Sequence, residues 1–406
     1  MVELLSPAGV YEKMVTAFDF GADAVYFAGK SFGLRAFAGN FDDQQIFDAT
    51  SYAHSLGKKV YVTLNIIARD CDFVGLKEYL TLLERAKVDA VIVADVGIAV
   101  FVKENSNLEL HISTQANILN SYSAKFFASI GAKRLVLARE LSLDEIKKIR
   151  ESLPKEIEIE CFVHGAMCIS YSGRCLLSNY LAGRDSNRGA CTQSCRWCYT
   201  VTETTRKGEQ FEVQEDDRGT YIFNSKDLCV IQHIDKLIQA GIDSFKIEGR
   251  MKSQYYVANV TNAYRRAIDS YQNSQDKQNW VLPDYLLDEV KKSSHRHYTT
   301  GFYFGERDKE KLDTSMPTQT YKFVAVVLED AKDGYVLIEQ RNRFCVGQVL
   351  QVLANDDNLN KQIMVEEMHD EQGETLLDAK NVNQKIYLKT DLDLKRGNIL
   401  RIKVEQ

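Results

Sequence analysis

Residues 21–29 read GADAVYFAG and residues 240–249 read AGIDSFKIEG, and the two phrases predict the same local structure. In each phrase a helix ends at a glycine, a short turn follows, and a run of apolar residues then forms a strand. Similar apolar runs alternate with helical periodicity from the first residues of the chain onward. Their near-continuous apolar character is typical of parallel strands that are buried on both faces.

Eight strand–helix units in series favour an α/β fold, a (β/α)8 TIM-type barrel. The predicted strands are Glu3–Leu5, Ala24–Phe27, Lys59–Leu64, Ala90–Ala94, Leu110–Ser113, Arg134–Leu137, Glu156–Phe162 and Ser244–Ile247. The clearest predicted helices are Tyr11–Phe20, Asp42–Leu56 and Leu143–Ser152. The alternative is a doubly wound open sheet, which is disfavoured because no G-x-G-x-x-G phrase follows the first strand.

A barrel of this type builds its active site at the carboxyl ends of its strands, so polar residues at those ends are candidate site residues. They are Ser6, Asn65, Asp95, Gln115, Asn117, Arg139, Glu140, His164, Lys246, Glu248 and Arg250. Among them, His164, Lys246 and Glu248 are the candidate acid/base groups for catalysis.

Residues 160–198 read ECFVHGAMCISYSGRCLLSNYLAGRDSNRGACTQSCRWC and contain six of the nine cysteines of the chain. The segment begins where the seventh predicted strand ends, so we expect a Cys-rich insertion that caps the mouth of the barrel. Cys229 follows in the phrase SKDLC, where we expect it to open the helix that leads to the eighth strand.

The thiols could form disulfides or hold zinc or an iron–sulfur cluster. The chain begins without a signal-peptide pattern and has no apolar stretch near the ~18 residues of a membrane span, so we expect a cytoplasmic protein with reduced thiols. Zinc sites usually show C-x2-C pairs, and the segment has one, Cys195 with Cys198. The wider spacings between Cys168, Cys175 and Cys191 suit an iron–sulfur cluster. Spacing alone leaves zinc, iron–sulfur and buried structural thiols open.

A net charge of −6 argues against a non-specific nucleic-acid coat protein, but a local basic patch could still bind RNA. The candidate substrate-binding residues are Arg139, Arg174, Arg184, Arg188, Arg196, Arg250 and Tyr171. The arginines could hold phosphates or clamp carboxylates, and Tyr171, Tyr180, Trp197 and Tyr199 could stack on an extruded base. The alternatives are a solvated face, pairing with the acidic residues 215–217, and core packing.

The domain organisation is predicted from changes of pattern along the chain. Residues 1–272 form the barrel, with the Cys-rich segment at 160–229 and a polar hairpin at 200–221; a final helix covers Gln254–Tyr271. Residues 273–317 form a connector, in which residues 295–298 could add RNA contacts. Residues 318–406 form a small all-β barrel domain of short alternating strands. Its predicted strands are Tyr321–Leu328, Tyr335–Glu339, Gln348–Val352, Gln362–Met368, Lys385–Leu388 and Ile399–Val404.

The phrase ECFVHGAMCISYSGRCLLS at residues 160–178 resembles the signature of the collagenase-like peptidase family, the unassigned-type peptidase family 32. The phrases ELLSPAG, GADAVYFAG, NRGACTQSCRWCY, NSKDLC and FKIEGRMKS fit the same family, so the resemblance extends over essentially the whole chain. The family includes proteins that hydroxylate tRNA wobble uridine or ribosomal RNA cytidine, and oxygen-independent ubiquinone hydroxylation proteins. A barrel followed by one small β domain resembles the tRNA 5-hydroxyuridine type.

The resemblance implies a 4Fe–4S cluster held by Cys168, Cys175, Cys191 and Cys229, with Cys195 as the alternative ligand. It also implies prephenate, a small dicarboxylate, as the hydroxyl donor and the anticodon arm of tRNA as the macromolecular partner. Cys161, Cys198, Cys71 and Cys345 are interpreted as packed or peripheral thiols. A partner subunit or a homo-oligomer stays open.

The peptidase activity in the family's name is a second hypothesis for function. The chain has no H-E-x-x-H or G-x-S-x-G phrase, but Cys168 and His164 could form a nucleophile pair. A thiolate that ligates iron cannot also attack a peptide bond, which disfavours a peptidase. A non-catalytic iron–sulfur redox or scaffold protein is the third hypothesis.

Overall fold

Eight parallel strands close into a barrel in the computed structural model, which describes residues 2–30, 39–168, 170–188, 191–196, 200–202, 210–212, 226–305 and 318–404. The strands in this part of the chain are β1 (Glu3–Pro7), β2 (Ala24–Phe27), β3 (Lys59–Leu64), β4 (Ala90–Val93), β5 (Glu109–Ile112), β6 (Arg134–Val136), β7 (Glu158–Ala166), β8 (Thr200–Thr202), β9 (Gln210–Glu212), β10 (Asp227–Cys229), β11 (Ser244–Ile247) and β12 (Tyr298–Thr299). The α-helices are α1 (Tyr11–Asp19), α2 (Asp43–Ser55), α3 (Leu76–Arg85), α4 (Val96–Asn105), α5 (Ser121–Ser129), α6 (Leu143–Ser152), α7 (Leu177–Ala182), α8 (Ile234–Gln239), α9 (Gln254–Asn273) and α10 (Asp284–Lys291).

The barrel consists of β1 to β7 in chain order, closed by β11, which pairs with both β1 and β7. The predicted TIM-type fold is therefore confirmed. The strands are buried on both faces, as their apolar runs predict. Sequence-encoded caps start the outer helices: Asp42 and Gln45 form a capping box on α2, and Ser142 and Glu145 form one on α6.

Two predictions around the seventh strand are wrong in detail. β7 continues to Ala166, beyond the predicted end at Phe162, because its last residues pair with β10. His164 therefore lies inside the strand rather than after it. Cys229 ends β10, which runs antiparallel to β7, and does not open a helix.

Two sheet additions lie in the parts of the chain that were predicted as a hairpin and a connector. β8 and β9 form an antiparallel pair within the predicted hairpin, and the acidic residues 215–217 lie outside the described residues. The predicted connector contains α10 and β12, and β12 pairs parallel to β10.

The C-terminal region is an antiparallel all-β unit, as predicted. Its strands are β13 (Tyr321–Val327), β14 (Tyr335–Gln340), β15 (Phe344–Cys345), β16 (Val349–Leu353), β17 (Gln362–Met364), β18 (Met368–His369), β19 (Asp378–Ala379), β20 (Lys385–Lys389) and β21 (Ile399–Lys403). The single strand predicted at Gln362–Met368 is in fact β17 and β18, which lie at opposite edges of a seven-stranded sheet. In residues 318–404, β17 and β18 do not pair with each other, so this sheet is open. The strand pairings therefore do not form the predicted barrel.

A buried ion pair joins the two regions. Arg401 of β21 binds Glu289 of α10 through both guanidinium nitrogens, at 2.6 and 3.1 Å, and both side chains are fully buried. Arg401 also donates to Asn259 of α9 and to Asn360. Apolar side chains pack around this joint, among them Phe20, Tyr255, Val326, Leu353 and Ile399.

None of the helices in the part of the chain that the structure describes combines the length and apolar character needed to cross a membrane.

Substituting Glu289→Gln should lower the free energy of unfolding by roughly 3–5 kcal/mol, because it leaves the Arg401 charge buried without a carboxylate. Urea denaturation of the full chain measures this change. The matched control is Asp378→Asn, which removes the carboxylate of a bidentate but partly exposed pair with Arg343 and should cost at most about 1 kcal/mol. Equal effects of the two substitutions would contradict a structural role for the buried pair.

Candidate active site at the mouth of the barrel

A cavity of about 190 Å³ lies at the carboxyl ends of the barrel strands. Residues of the strands and of the loops that follow them form its floor and walls, including Tyr26, Thr63, Asn65, Gln115, Arg139, Phe162, Lys246, Glu248 and Arg250. The Cys-rich segment forms its rim through Cys168, Tyr171, Ser172, Gly173, Cys175, Ser186, Asn187, Cys191 and Cys195. The predicted position of this segment over the barrel mouth is thus observed.

An ion pair fixes one side of the Cys-rich segment to the barrel. Arg188 binds both carboxylate oxygens of Asp72 at 2.8 Å and donates to the carbonyl of Ile67. The Arg188 guanidinium, through its hydrogen bonds to Asp72, lowers the pKa of Asp72 to about 2. Arg188, a predicted substrate-binding residue, thus anchors the segment through this ion pair.

A second anchor holds the other side of the segment. Ser172 donates its backbone N–H and its hydroxyl to Glu140, at 2.9 and 3.1 Å. The adjacent Gly173 has φ +72°, and a Cβ there would lie 2.1 Å from the carbonyl oxygen of Gln115. Glycine therefore lets the segment lie directly on the loop after β5.

Four thiols border the cavity: Cys168, Cys175, Cys191 and Cys195. Cys168 and Cys191 are exposed, and Cys175 and Cys195 are partly buried. Cys191 accepts a hydrogen bond from the backbone N–H of Gln193 at 3.4 Å. Among the residues that the structure describes, however, no three Cys, His, Asp or Glu side chains converge as metal ligands.

The predicted ligand Cys229 does not line this cavity. It lies beside Tyr264 of α9, whose hydroxyl is 3.9 Å from its sulfur, and burial raises its pKa to about 11. Cys195, the alternative ligand, borders the same cavity as Cys168, Cys175 and Cys191, whereas Cys229 lies outside it. Cys161 is a buried thiol, as predicted, and Cys198 lies outside the described residues.

Lys246 lies on the floor of the cavity with its ammonium in a buried environment. Its Nζ is 2.6 Å from Glu160 Oε1 and 4.4 Å from the centre of the Tyr26 ring. Burial lowers the pKa of Lys246, while the Glu160 carboxylate opposes this shift. The predicted candidate thus faces the cavity as a paired cation.

Two arginines and one carboxylate complete the charged lining. Arg139 packs over the Phe162 ring at 4.1 Å and donates to the carbonyl of Ala166. Arg250 is buried and donates to Thr63 Oγ1 at 3.2 Å. Glu248 accepts from the Tyr26 hydroxyl at 3.4 Å and is the one carboxylate among the described lining residues. A cavity with three cations and one anion favours a negatively charged ligand.

His164 is not brought to the cavity. Its ring packs among the rings of Tyr256, Tyr264 and Tyr298, with centroids 5.3 to 6.0 Å away, and its Nδ1 has no hydrogen-bond partner among the described residues. Burial lowers the pKa of His164 to about 3, so the imidazole is neutral at pH 7. In this position it cannot exchange protons with a ligand beside Lys246.

The outer face of the segment is exposed and partly aromatic. Tyr171 and Tyr180 are 59% and 87% exposed, Leu176 is 69% exposed, and Arg174 is also exposed. Arg184 is half-buried, and Arg196 ends the turn Ser194–Arg196. Trp197 and Tyr199 lie outside the described residues.

Other predicted residues have structural roles. Asp95 caps α4 by accepting from the backbone N–H of Ile98, Ser6 bonds Thr261, and Asn65 donates to Gln115. In the predicted connector, His295 stacks on Tyr298 with ring centroids 4.3 Å apart.

Charged residues that the sequence patterns do not single out lie beneath the cavity. Glu3 and Arg134 form a buried ion pair inside the barrel, and Arg134 also reaches Glu160 at 3.2 Å. Burial opposes ionisation of Glu3, but Arg134 and the hydroxyls of Tyr61 and Ser244 lower its pKa to about 2. The sequence contains a signal for them, because Glu3 and Arg134 are charged residues within otherwise apolar strands.

Comparison with known proteins agrees with the resemblance seen in the sequence. A family model described as Peptidase family U32 matches residues 9–313, and one described as Peptidase family U32 C-terminal domain matches residues 319–401. The chain is 40% identical over 403 residues to tRNA hydroxylation protein P1 of Bacillus subtilis, covering 98% of this chain and 94% of that protein.

Two further relatives carry different names. The tRNA hydroxylation protein P of Escherichia coli is 34% identical over 435 residues, covering 97% of this chain and 94% of that protein. A collagenase of Porphyromonas gingivalis is 34% identical over 316 residues, covering 75% of this chain and 74% of that protein. With matches along nearly its whole length, the chain belongs to peptidase family U32.

Proposed function

We propose that this protein is a cytoplasmic iron–sulfur RNA-modifying enzyme that hydroxylates the wobble uridine of tRNA to 5-hydroxyuridine, with prephenate as the hydroxyl donor. One observation carries the proposal: four thiols and three cations line a single cavity at the catalytic end of a barrel. The names of the Bacillus subtilis and Escherichia coli relatives support tRNA hydroxylation as the activity.

The four cysteine thiols that border the cavity are of the type and number that a 4Fe–4S cluster binds. Cys168, Cys175, Cys191 and Cys195 would hold it at the rim, and thiolates are the ligands such clusters take in proteins. The N–H of Gln193 would donate to the Cys191 sulfur, a contact that tunes reduction potential. When bound, a cluster supplies electron transfer or a Lewis-acidic iron. Among the described residues, no three of these side chains already converge as metal ligands.

The cavity suits a small anionic donor. Its volume of about 190 Å³ is below the roughly 300–1,000 Å³ of pockets for larger ligands. Arg139 and Arg250 offer guanidinium groups that can bind carboxylates, and Lys246 adds an ammonium on the floor. These cations match the two carboxylates of prephenate.

Glu248 is the candidate proton acceptor. Hydroxylation of uridine replaces the C5 hydrogen with a hydroxyl and is a two-electron oxidation. The hydroxyl donor is the oxidant, since it gives up its hydroxyl and keeps the electron pair, and the C5 hydrogen leaves as a proton that a base must take up. Glu248 is the carboxylate that borders the cavity in the described chain, and it lies 3.4 Å from the Tyr26 hydroxyl, which donates its shorter hydrogen bond to the carbonyl of Ile247. His164 of β7 does not border this cavity, and its ring packs against the rings of Tyr264 and Tyr298.

The exposed face of the Cys-rich segment is the candidate tRNA surface. Tyr171 borders the cavity and Tyr180 lies on α7, so both rings are available to stack on unpaired bases of the anticodon loop. The exposed Arg174 offers a guanidinium for a backbone phosphate.

The structure argues against a Cys168–His164 peptidase. Cys168 borders the cavity, whereas His164 is buried among three tyrosines and does not line it. A nucleophile and its base must lie within hydrogen-bond reach, and these two side chains face different environments.

Serine substitution of single cysteines tests the cluster. Cys175→Ser and Cys195→Ser should each lower iron and sulfide in anaerobically purified protein, because each removes a thiol that borders the cavity. Cys161→Ser is the control and should retain both, since that thiol is buried in the barrel wall. Loss of iron in Cys229→Ser with full retention in Cys195→Ser would assign Cys229 as the fourth ligand and exclude Cys195.

Substituting Gly173→Ala should also reduce bound iron, because the added Cβ meets the Gln115 carbonyl and pushes the segment off the barrel. Gly183→Ala is the matched control: Gly183 has a similar φ of +63°, but no atom of the described chain lies within 4 Å of its Cβ position. Similar iron contents of the two variants would show that the contact with Gln115 does not position the ligands.

Substituting Tyr180→Ala should weaken tRNA binding roughly ten-fold, since base–aromatic stacking contributes about 1–3 kcal/mol per base. Fluorescence anisotropy with a labelled anticodon stem–loop gives the dissociation constant. Tyr122→Ala serves as the control, because Tyr122 is equally exposed, at 85%, on α5. An unchanged affinity for Tyr180→Ala would exclude this face as the tRNA surface.

Reconstitution in vitro tests the activity as a whole. The iron-loaded protein, a tRNA transcript and prephenate should yield 5-hydroxyuridine by nucleoside mass spectrometry, and Glu248→Gln should reduce the yield at least ten-fold. Gelatin cleavage that survives removal of iron would favour a peptidase. Absence of both reactions in iron-loaded protein would favour a redox or scaffold role.

A further inference from the structure

The acidic residue beneath Lys246 has a role that the proposed function does not assign. We propose that Glu160 is a positioning residue that holds the Lys246 ammonium, charged and fixed, on the floor of the barrel cavity, where it faces an anionic ligand. The identity of that ligand as the hydroxyl donor rests on the proposed function. The charge and the position of Lys246 do not depend on the proposed function.

The two carboxylate oxygens of Glu160 have different partners. Oε1 lies 2.6 Å from Lys246 Nζ, and Oε2 lies 3.2 Å from Arg134. Arg134 already has two other carboxylate partners, since Glu3 binds it at 2.5 and 3.2 Å and Glu158 binds it at 2.6 Å. Arg134 therefore keeps its counter-charges without Glu160, whereas Glu160 is the carboxylate ion-paired to Lys246 in the described chain.

The surroundings explain why this pairing is needed. Lys246 and Glu160 are both buried, and a buried ammonium loses its proton readily unless a carboxylate compensates for lost hydration. The groups around Lys246 are Glu160 and Phe162 of β7, Arg134 of β6, Tyr26 of β2 and Glu248, which follows its own strand, β11. Arg134 repels the Lys246 ammonium, and the carboxylates of Glu160 and Glu248 attract it. Removing Glu160 therefore favours the neutral amine and lowers the pKa of Lys246.

A purely structural role for Glu160 makes a different prediction. If the network only stabilised the barrel, losing Glu160 or Glu158 would affect stability and leave Lys246 unchanged. Glu158 is the matched control because it also neutralises Arg134, but it is partly exposed and its ion pair is with Arg134 rather than with Lys246. Glu160→Gln and Glu158→Gln each remove one negative charge from the same group of residues.

The experiment is an NMR pH titration of protein labelled with [ε-13C]lysine, with the Lys246 signal assigned by its absence in Lys246→Arg. Glu160→Gln should lower the pKa of Lys246 by at least about one pH unit, whereas Glu158→Gln should leave it within a few tenths. Should Glu160→Gln fail to fold, Glu160→Asp keeps the charge but lengthens the contact, and a smaller decrease is expected. An unchanged Lys246 pKa in the folded variant would overturn the proposal.

Calorimetric binding of prephenate to the iron-loaded protein then tests the link to the ligand. The ammonium form binds an anion, so Glu160→Gln should retain affinity at pH 6. As the pH rises through the lowered pKa of Lys246, the variant should lose affinity relative to the wild type, up to about ten-fold for a pKa decrease of one unit. Glu158→Gln should follow the wild type. A lowered Lys246 pKa with unaltered prephenate affinity would refute prephenate as the ligand while leaving the positioning role intact; parallel losses in both variants would contradict that role.

Discussion

The pairing of Glu160 with both Arg134 and Lys246 sets the character of the barrel interior. Glu3 and Arg134 lie towards the amino-terminal end of the barrel strands, where they form a network of ion pairs and hydrogen bonds with Glu160 and Ser244. Towards the cavity, the rings of Tyr26 and Phe162 flank the Lys246 ammonium. Charges buried in a barrel are costly unless they are paired, and within this network Lys246 is the charge that faces the cavity.

The Cys-rich segment depends on the barrel in a different way. In the described residues between the end of β7 and Arg196, its regular elements are α7 and short turns, and contacts with neighbouring loops hold it in place. Arg188 holds it to the loop after β3, and Ser172 and Gly173 hold it to those after β6 and β5. A segment fixed at both sides can present thiols inward and aromatic rings outward. On the proposed function, this arrangement would let a small donor and a large RNA reach the same opening.

Much of the fold was predictable from the sequence because buried parallel strands leave a strong pattern. The apolar runs identified all eight barrel strands, and the polar residues after them identified Arg139, Lys246, Glu248 and Arg250 as lining residues. Local patterns could not place His164, because the extension of β7 depends on pairing with β10, which is distant in sequence. The same limit applies to Cys229, whose side of the strand is set by that pairing, and to β17 and β18, whose split depends on the order of the sheet.

The tRNA of cells that lack this protein tests the central claim most directly. Mass spectrometry of wobble nucleosides from a deletion strain without redundant paralogues should show loss of 5-hydroxyuridine and its derivatives. A plasmid carrying the wild-type gene should restore them, and one carrying Lys246→Met should not. Unchanged wobble nucleosides in the deletion strain would contradict the account.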